Sequence, residues 1–200
     1  MGLLKSLSGY TSKTAENLVL DAGAFFKNFD VKTDTYDTAV TGGKLLGATR
    51  GGGNFNATPT VRQIEVDGVK GKAKGLTVID SWDVTMTANM LEVTIESLKL
   101  SLASATSAVD AVNYPGYTQI KANNYIALAD YIDNITWVGT ISGSDKPVII
   151  QILNVLNTNG LSIQTQDKSE VVTALTLTGH YDDTDLDSPP FAIYYPTPAA

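Results

Sequence analysis

In SWDVTMTA, residues 81–88, apolar and polar positions alternate strictly: Trp82, Val84, Met86 and Ala88 fall on one face, and Asp83, Thr85 and Thr87 on the other. A period of two over this length predicts a half-buried antiparallel strand. Strand-like runs recur in NLVLDAGAFF (17–26, broken at Gly23), TVRQIEV (60–66), YIDNITWVG (131–139), PVIIQILNVL (147–156), LSIQT (161–165) and TALTLTGHY (173–181). In the last of these Leu175, Leu177 and Tyr181 share a face. Asp67-Gly68 directly after TVRQIEV signals a two-residue hairpin turn, and Pro115-Gly116 in NYPGY signals a type II turn. Spacings of three and four at Ile95, Leu98, Leu102 and Ala105 predict one amphipathic helix over about 94–105. Thr94 is its N-cap, and Glu96 lies in its first turn. Residues 119–129 fit a helix or a strand.

The flanks and one internal stretch lack such patterns. Residues 1–17 are rich in Ser, Thr and Lys and are expected to form an N-terminal arm to a single domain spanning 18–200. Residues 182–200, with SPPFAIYYP near their end, are expected to form an extended C-terminal segment limited by prolines. Residues 30–60 are rich in Thr, Asp and Gly with little periodicity, and 42–58, which contain GATRGGGNF, read as a long Gly-rich loop. The fold class expected is mainly β.

Composition narrows the function. Two hundred residues suit one domain. A compact chain of 21.2 kDa would expose roughly 9,000 Å². The chain has no cysteine, which removes disulfides, thiol nucleophiles and thiolate zinc sites. Its net charge of −7 argues against a protein that grips nucleic acid, which needs clustered Lys and Arg. The nearest cationic cluster is Lys70, Lys72 and Lys74, one face of an extended segment or a solvated edge. No signal-peptide core or apolar run long enough to span a membrane is visible, so no membrane partner is expected. MGLLKS matches the short N-myristoylation pattern, which matters only where the modifying enzyme exists.

The candidate chemistries fail on residue identity. Counting a phosphate loop from Gly47 puts Gly53 and Asn54 where Lys and Ser/Thr are required. A dinucleotide fingerprint from Gly51 and Gly53 finds Asn56 in the third glycine position. DDTDLDSPP resembles the start of a calcium loop, but Ser188 replaces the turn glycine and Tyr194 the bidentate Glu. His180 is the single histidine, and no G-x-S-x-G elbow presents a serine to it, so it reads as structural or interfacial. The expectation is a protein without catalytic, cofactor or metal residues.

Taken in order, LGATRGGGNF, VRQIEVDGVKGKAKG, SWDVTMTANMLEVTIESLKLSL, then DYIDNITWVGTISGSDKPVIIQILNVLNTNGLSIQTQDKSEVVTALTLTGHYD and PPFAIYYP resemble the major tail tube proteins of long-tailed (siphovirus-type) bacteriophages, especially those of Gram-positive hosts. The resemblance covers roughly residues 18–196. It implies a β-sandwich or half-barrel with one flanking helix and a long assembly loop. Such subunits close into rings, hexameric in this family, whose inner strands form one continuous β-barrel. The implied partners are further copies of the chain, a tape-measure protein, a tail terminator and distal tail or baseplate proteins. DNA would pass down the lumen without specific binding. The implied location is the virion tail, assembled in the host bacterial cytoplasm. The inner tube of a contractile tail or phage-derived bacteriocin is the nearest alternative, and a β-sandwich binding or baseplate module the next.

Three physical points agree with a conduit. A ring of strands removes exposed sheet edges. An acidic wall repels DNA, and screening over about 8 Å at physiological salt leaves that repulsion in a narrow bore. The polar strand face Asp83, Thr85 and Thr87 suits either a water-filled channel or the outer solvent. For residues 42–58 the reading is an inter-subunit or inter-ring arm. Leu45, Leu46 and Phe55 would be its apolar anchors, Arg50 a polar contact, and Gly51, Gly52 and Gly53 its hinges. The alternative is an ordered segment on its own subunit.

Overall fold

In the computed structural model, which describes residues 9–197, SWDVTMTA lies in a strand of Thr77–Met90. Its face assignment is as the alternation requires: Val84, Met86 and Ala88 are buried and Trp82 half-buried, while Asp83 is exposed. The strands in chain order are β1 (Val19–Lys27), β2 (Thr49–Gln63), β3 (Thr77–Met90), β4 (Ala105–Val109), β5 (Thr118–Ala122), β6 (Ile132–Ile141), β7 (Val148–Val155), β8 (Thr173–Thr178) and β9 (Phe191–Tyr194). Two short helices, α1 (Tyr36–Thr41) and α2 (Ile95–Leu100), interrupt them.

All strand pairs are antiparallel. They form a four-stranded sheet β1-β6-β7-β9, a three-stranded sheet β2-β3-β8 and a separate pair β4-β5. Among the described residues no sheet closes into a barrel. The two larger sheets share one core. Phe25, Ile135, Ile152 and Val155 come from the first, and Val84, Met86, Ala88, Leu175 and Leu177 from the second. This arrangement is consistent with a β-sandwich.

The other face of the four-stranded sheet is covered as well. Phe26, Val138 and Ile149 pack beneath Phe29 and Ala39, with Leu45 against them, so the excursion between β1 and β2 forms a third layer. Burial on both faces explains why PVIIQILNVL is a continuous apolar run rather than an alternating one. The one long polar side chain inside this layer is satisfied. Gln151 Nε2 donates to the Phe29 carbonyl and to Thr136 Oγ1, both at 2.9 Å. Thr136 in turn donates to Asn134 Oδ1 at 3.0 Å, and the Phe29 N–H donates to the same oxygen at 2.9 Å.

Several expectations need correction. The helix expected over 94–105 ends at Leu100. Thr94 caps it as expected, accepting from the Ser97 N–H at 3.1 Å. However, Ser101 Oγ donates back to the Ser97 carbonyl at 2.8 Å, and Ala103 takes a left-handed φ of 54°, so the chain leaves the helix and enters β4 at Ala105. Ile95 is exposed, and Leu100 rather than Leu102 packs on the main core. The long Gly-rich loop at 42–58 is mostly strand, because β2 runs from Thr49 through Gln63 and pairs with β3. LSIQT is not a strand. The Asp67-Gly68 turn exists, with Val69 N–H donating to the Val66 carbonyl at 3.1 Å, but it sits inside a longer loop, residues 64–76. Pro115-Gly116 forms its turn, closed by Tyr117 N–H to the Tyr114 carbonyl at 3.2 Å with Gly116 at φ 83°. Of the N-terminal arm, residues 1–8 lie outside the described residues.

The surface is larger than a compact chain of this size requires. It measures 13970 Å², against the roughly 9,000 Å² that mass alone predicts. Two projections contribute. One is the far half of the β2–β3 hairpin, which runs on past the end of β8 because β8 pairs only with Thr85 through Met90. The other is the β4–β5 hairpin. Among the described residues more large apolar side chains are exposed than buried.

Candidate assembly surface

The outward face of β2-β3-β8 is a continuous polar field. Register places Asn54 beside Thr87, Asn56 beside Thr85, Thr58 beside Asp83 and Thr60 beside Ser81. On the other side of β3, Thr87 faces Thr176 and Thr85 faces Thr178. The Thr87 and Thr176 hydroxyls lie 3.3 Å apart. Among these cross-strand rows Asp83 is the single ionisable side chain, and no Lys, Arg or Glu projects from them. Such a face carries short polar side chains and is nearly neutral. The structure therefore brings Asp83, Thr85 and Thr87 together with Asn54, Asn56, Thr58, Thr60, Thr176 and Thr178, which sequence reasoning missed. The signal was present in the alternation N-F-N-A-T over 54–58, hidden by the glycines before it and Pro59 after it.

This sheet ends in two edges, β2 and β8, and the β8 edge is taken at Thr178, which exchanges backbone hydrogen bonds with Leu156 at 3.0 and 2.9 Å. Along β2 the strand carries Pro59, a residue that strands tolerate at an edge because it donates no ladder hydrogen bond. β1, the edge of the other sheet, approaches β2 where both strands bulge and just beyond, at Phe25 and Gly53. In β1 the register shifts between Leu20 and Ala24, with Asp21 at φ 65° and Gly23 at φ 66°. In β2 it shifts between Thr49 and Gly53, with Gly51 at φ 79° and Gly52 at φ 66°. A Cβ on Gly52 would lie 3.8 Å from that of Ala22, so the two bulges face each other across the seam.

This is what the triple glycine does. Gly51 and Gly52 supply the left-handed backbone of the bulge. Gly53 lets β2 press against the core, because a Cβ there would collide with the Thr87 carbonyl and the Phe25 ring. Between the bulges lies a cleft of about 490 Å³ floored by Phe25, Phe55, Met86, Trp137 and Ile150. The expected anchors are engaged within their own chain. Leu45 packs on the outer layer, Leu46 and Phe55 on the main core, and the Phe55 ring lies 5.8 Å from that of Phe191. Arg50 pairs with Glu170 at 2.6 Å on the surface; the Glu170 carboxyl is held below its ordinary range first by its own backbone N–H and then by Arg50. As placed, the segment is ordered on its own subunit.

His180 braces a crossing between sheets. Its backbone N–H donates to the Leu153 carbonyl at 3.1 Å, its Nδ1 donates to the Asn154 carbonyl at 3.0 Å, and its ring meets Tyr131 edge-on at 5.2 Å. The acidic run that follows folds into turns. Asp182 accepts from the Thr184 hydroxyl at 2.5 Å and the Thr184 N–H at 2.8 Å, and these bonds hold its carboxyl below the ordinary range. Asp185 accepts from Ser188 Oγ at 2.7 Å. Lys70, Lys72 and Lys74 lie in the loop at the tip of the β2–β3 hairpin rather than on a strand face, and all three are exposed.

Among the described residues no helix is long and apolar enough to cross a membrane. No protein-family model matches the chain, and no curated protein matches it significantly.

Proposed function

We propose that this protein is a structural subunit that assembles with copies of itself into stacked rings around a water-filled bore, the tail-tube role implied by the resemblance. The observation that carries the proposal is the outward face of β2-β3-β8. Three strands of Asn, Thr and Ser with one carboxylate, bounded by two strand edges, are suited to form one segment of a barrel wall. Joining the β2 edge of one copy to the β8 edge of the next, over the residues before Thr178, would make the sheet continuous and cover both edges. A contact between two different edges is heterologous, and it closes into a ring when the rotation allows.

Surface area supports the same reading. The chain exposes about 5,000 Å² more than expected for its mass, several times the ~800 Å² that each partner contributes to one standard interface. A hydrated, weakly acidic wall offers passing DNA no cationic grip. The tape-measure protein, terminator and distal tail proteins would be the further partners of such a tube. Negative-stain electron microscopy of concentrated protein tests the assembly: hollow rings or tubes of uniform bore are expected, and a strictly monomeric protein overturns it.

One observation favours a second reading, a β-sandwich binding or baseplate module. Tyr114 and Tyr117, at 50% and 74% exposure, share the β4–β5 turn, and exposed aromatics are the usual platform for ligands. Binding on a glycan array that is lost in Tyr117→Ala, with no assembly at any concentration, would favour this reading.

A further inference from the structure

The loop at the tip of the β2–β3 hairpin, residues 64–76, is apolar and cationic at once. Ile64, Val66 and Val69 are 40%, 49% and 44% exposed, and Lys70, Lys72 and Lys74 follow directly. Among the described residues none of these lysines forms an ion pair, not even with Glu65 or Asp67 in the same loop. A two-stranded ribbon with apolar residues on an uncovered tip is marginal in water, so this tip calls for a covering surface.

A surface of opposite charge lies beside the middle of the same hairpin. A cleft of about 540 Å³ opens among Leu128, Tyr131, His180 and Tyr181, with Asp182 and Asp183 on its rim. Leu128 and Leu186 beside it are 85% and 69% exposed. Residues 182–187 carry four carboxylates and no cation, and none of the four forms an ion pair among the described residues. The cleft is fixed to the middle of the hairpin because the Trp82 N–H donates to Tyr181 Oη at 2.9 Å. From Trp82 to Thr77 the strand advances about 17 Å, at ~3.4 Å per residue, which carries a chain's own tip away from its own cleft.

We propose that the hairpin tip of one copy docks in the cleft of a second copy, with Val66 and Val69 against Leu128 and Tyr131 and the three lysines facing the carboxylates of residues 182–187. The occupant is a second copy because this chain itself supplies both halves of the complementarity, apolar with apolar and cation with carboxylate. The contact joins two different surfaces, so it propagates from copy to copy, and its charged part weakens with salt. It rests on the self-assembly reading above and names a contact that reading leaves open.

Carbodiimide coupling reads the contact in the unaltered protein. The reagent condenses a lysine amine with a carboxylate, forming an amide, and takes up the released water as it becomes a urea. With an equal mixture of isotopically light and heavy full-length chains, coupled peptides joining Lys70–Lys74 to Asp182–Asp187 are expected to carry mixed labels. A charge exchange gives the second readout. K70E/K72E/K74E and D183K/D187K, each checked for a native circular dichroism spectrum, are each expected to lose assembly at low salt. An equimolar mixture of the two is expected to regain part of it. The unaltered lysine tips of the second variant then meet the unaltered carboxylates of the first, and the glutamate tips of the first meet a cleft that is no longer net acidic. Assembly of either variant to the unaltered extent, or coupling confined to other carboxylates, overturns the docking while leaving self-assembly standing. An unaltered protein that stays monomeric overturns both.

Discussion

The indole Nε1 of Trp137 donates to the carbonyl oxygen of Ala22 at 2.9 Å, tying the middle of β6 to the bulge in β1. The ring lies across Gly23 and Gly139, and a Cβ on either would overlap it. Gly139→Ala is therefore expected to displace the indole and cost about 1–3 kcal/mol, as overpacking does. Gly23→Ala should cost more, because φ is also +66° there. Urea midpoints with near-ultraviolet circular dichroism check both. An unchanged midpoint for Gly139→Ala contradicts the packing.

The Gln151 amide is buried between the four-stranded sheet and the layer above it, and it supplies hydrogen bonds to Phe29 and Thr136. Gln151→Leu keeps much of the volume but strands the Phe29 carbonyl, at a cost of about 1–3 kcal/mol. Amide exchange should accelerate at Phe29 and Leu46, whose N–H groups hold this layer to the sheet. Equal exchange rates in the variant would show that the layer does not depend on Gln151.

The glycines differ in role, and the difference is measurable. Gly53→Ala drives a methyl into the Thr87 carbonyl and the Phe25 ring. Gly68→Ala, at φ +84° with open space around it, meets strain alone, worth about 1–2 kcal/mol. Thermal denaturation should rank Gly53→Ala as the more damaging change, and the reverse order would contradict the close approach of β2 to β1.

Acid should loosen the third layer. The Asp34 carboxyl is held below its ordinary value of 3.8 chiefly by the hydrogen bond from Lys44 Nζ at 2.5 Å, then by the Asp30 N–H. Asp30 is likewise lowered, first by the Lys32 N–H and then by the Thr33 hydroxyl. Both folded values lie below the unfolded ones, so this stabilisation is present in full above the unfolded value and is lost as pH falls through the folded one. Between about pH 5 and pH 2, exchange at the Leu46 amide should rise. In Asp34→Asn that rise should be smaller, and a full-sized rise in the variant would assign it to other groups.

Much of the fold was legible along the chain because burial alternates with sequence wherever one sheet face is wet. SWDVTMTA and TALTLT show their faces directly. PVIIQILNVL does not alternate, since the excursion carrying Phe29 and Ala39 covers its second face. The first part of β2 was illegible for a different reason, although TVRQIEV marks its end. Its first residues form a bulge that only glycine tolerates, and Pro59 marks an edge that resembles a breaker, so a strand was read as a loop. The helix was overextended because apolar spacing continues to Ala105 while Ser101 and Ala103 turn the backbone out. Of the candidate surface, Asp83, Thr85 and Thr87 could be read, whereas their neighbours depend on cross-strand register, which one-dimensional patterns do not carry.

The central claim is that this polar face turns inward when copies assemble. The chain has no cysteine, so Thr85→Cys places a single thiol on that face, and Val112→Cys places one on the exposed β4–β5 turn. Both should react equally with small and protein-tethered maleimide as monomers. In assembled material the account predicts that the thiol at position 85 still reacts with the small reagent but is shielded from the tethered one, while that at position 112 reacts with both or is covered by a neighbour. Equal reaction at position 85 with both reagents in assembled material, or a protein that never assembles, would contradict it.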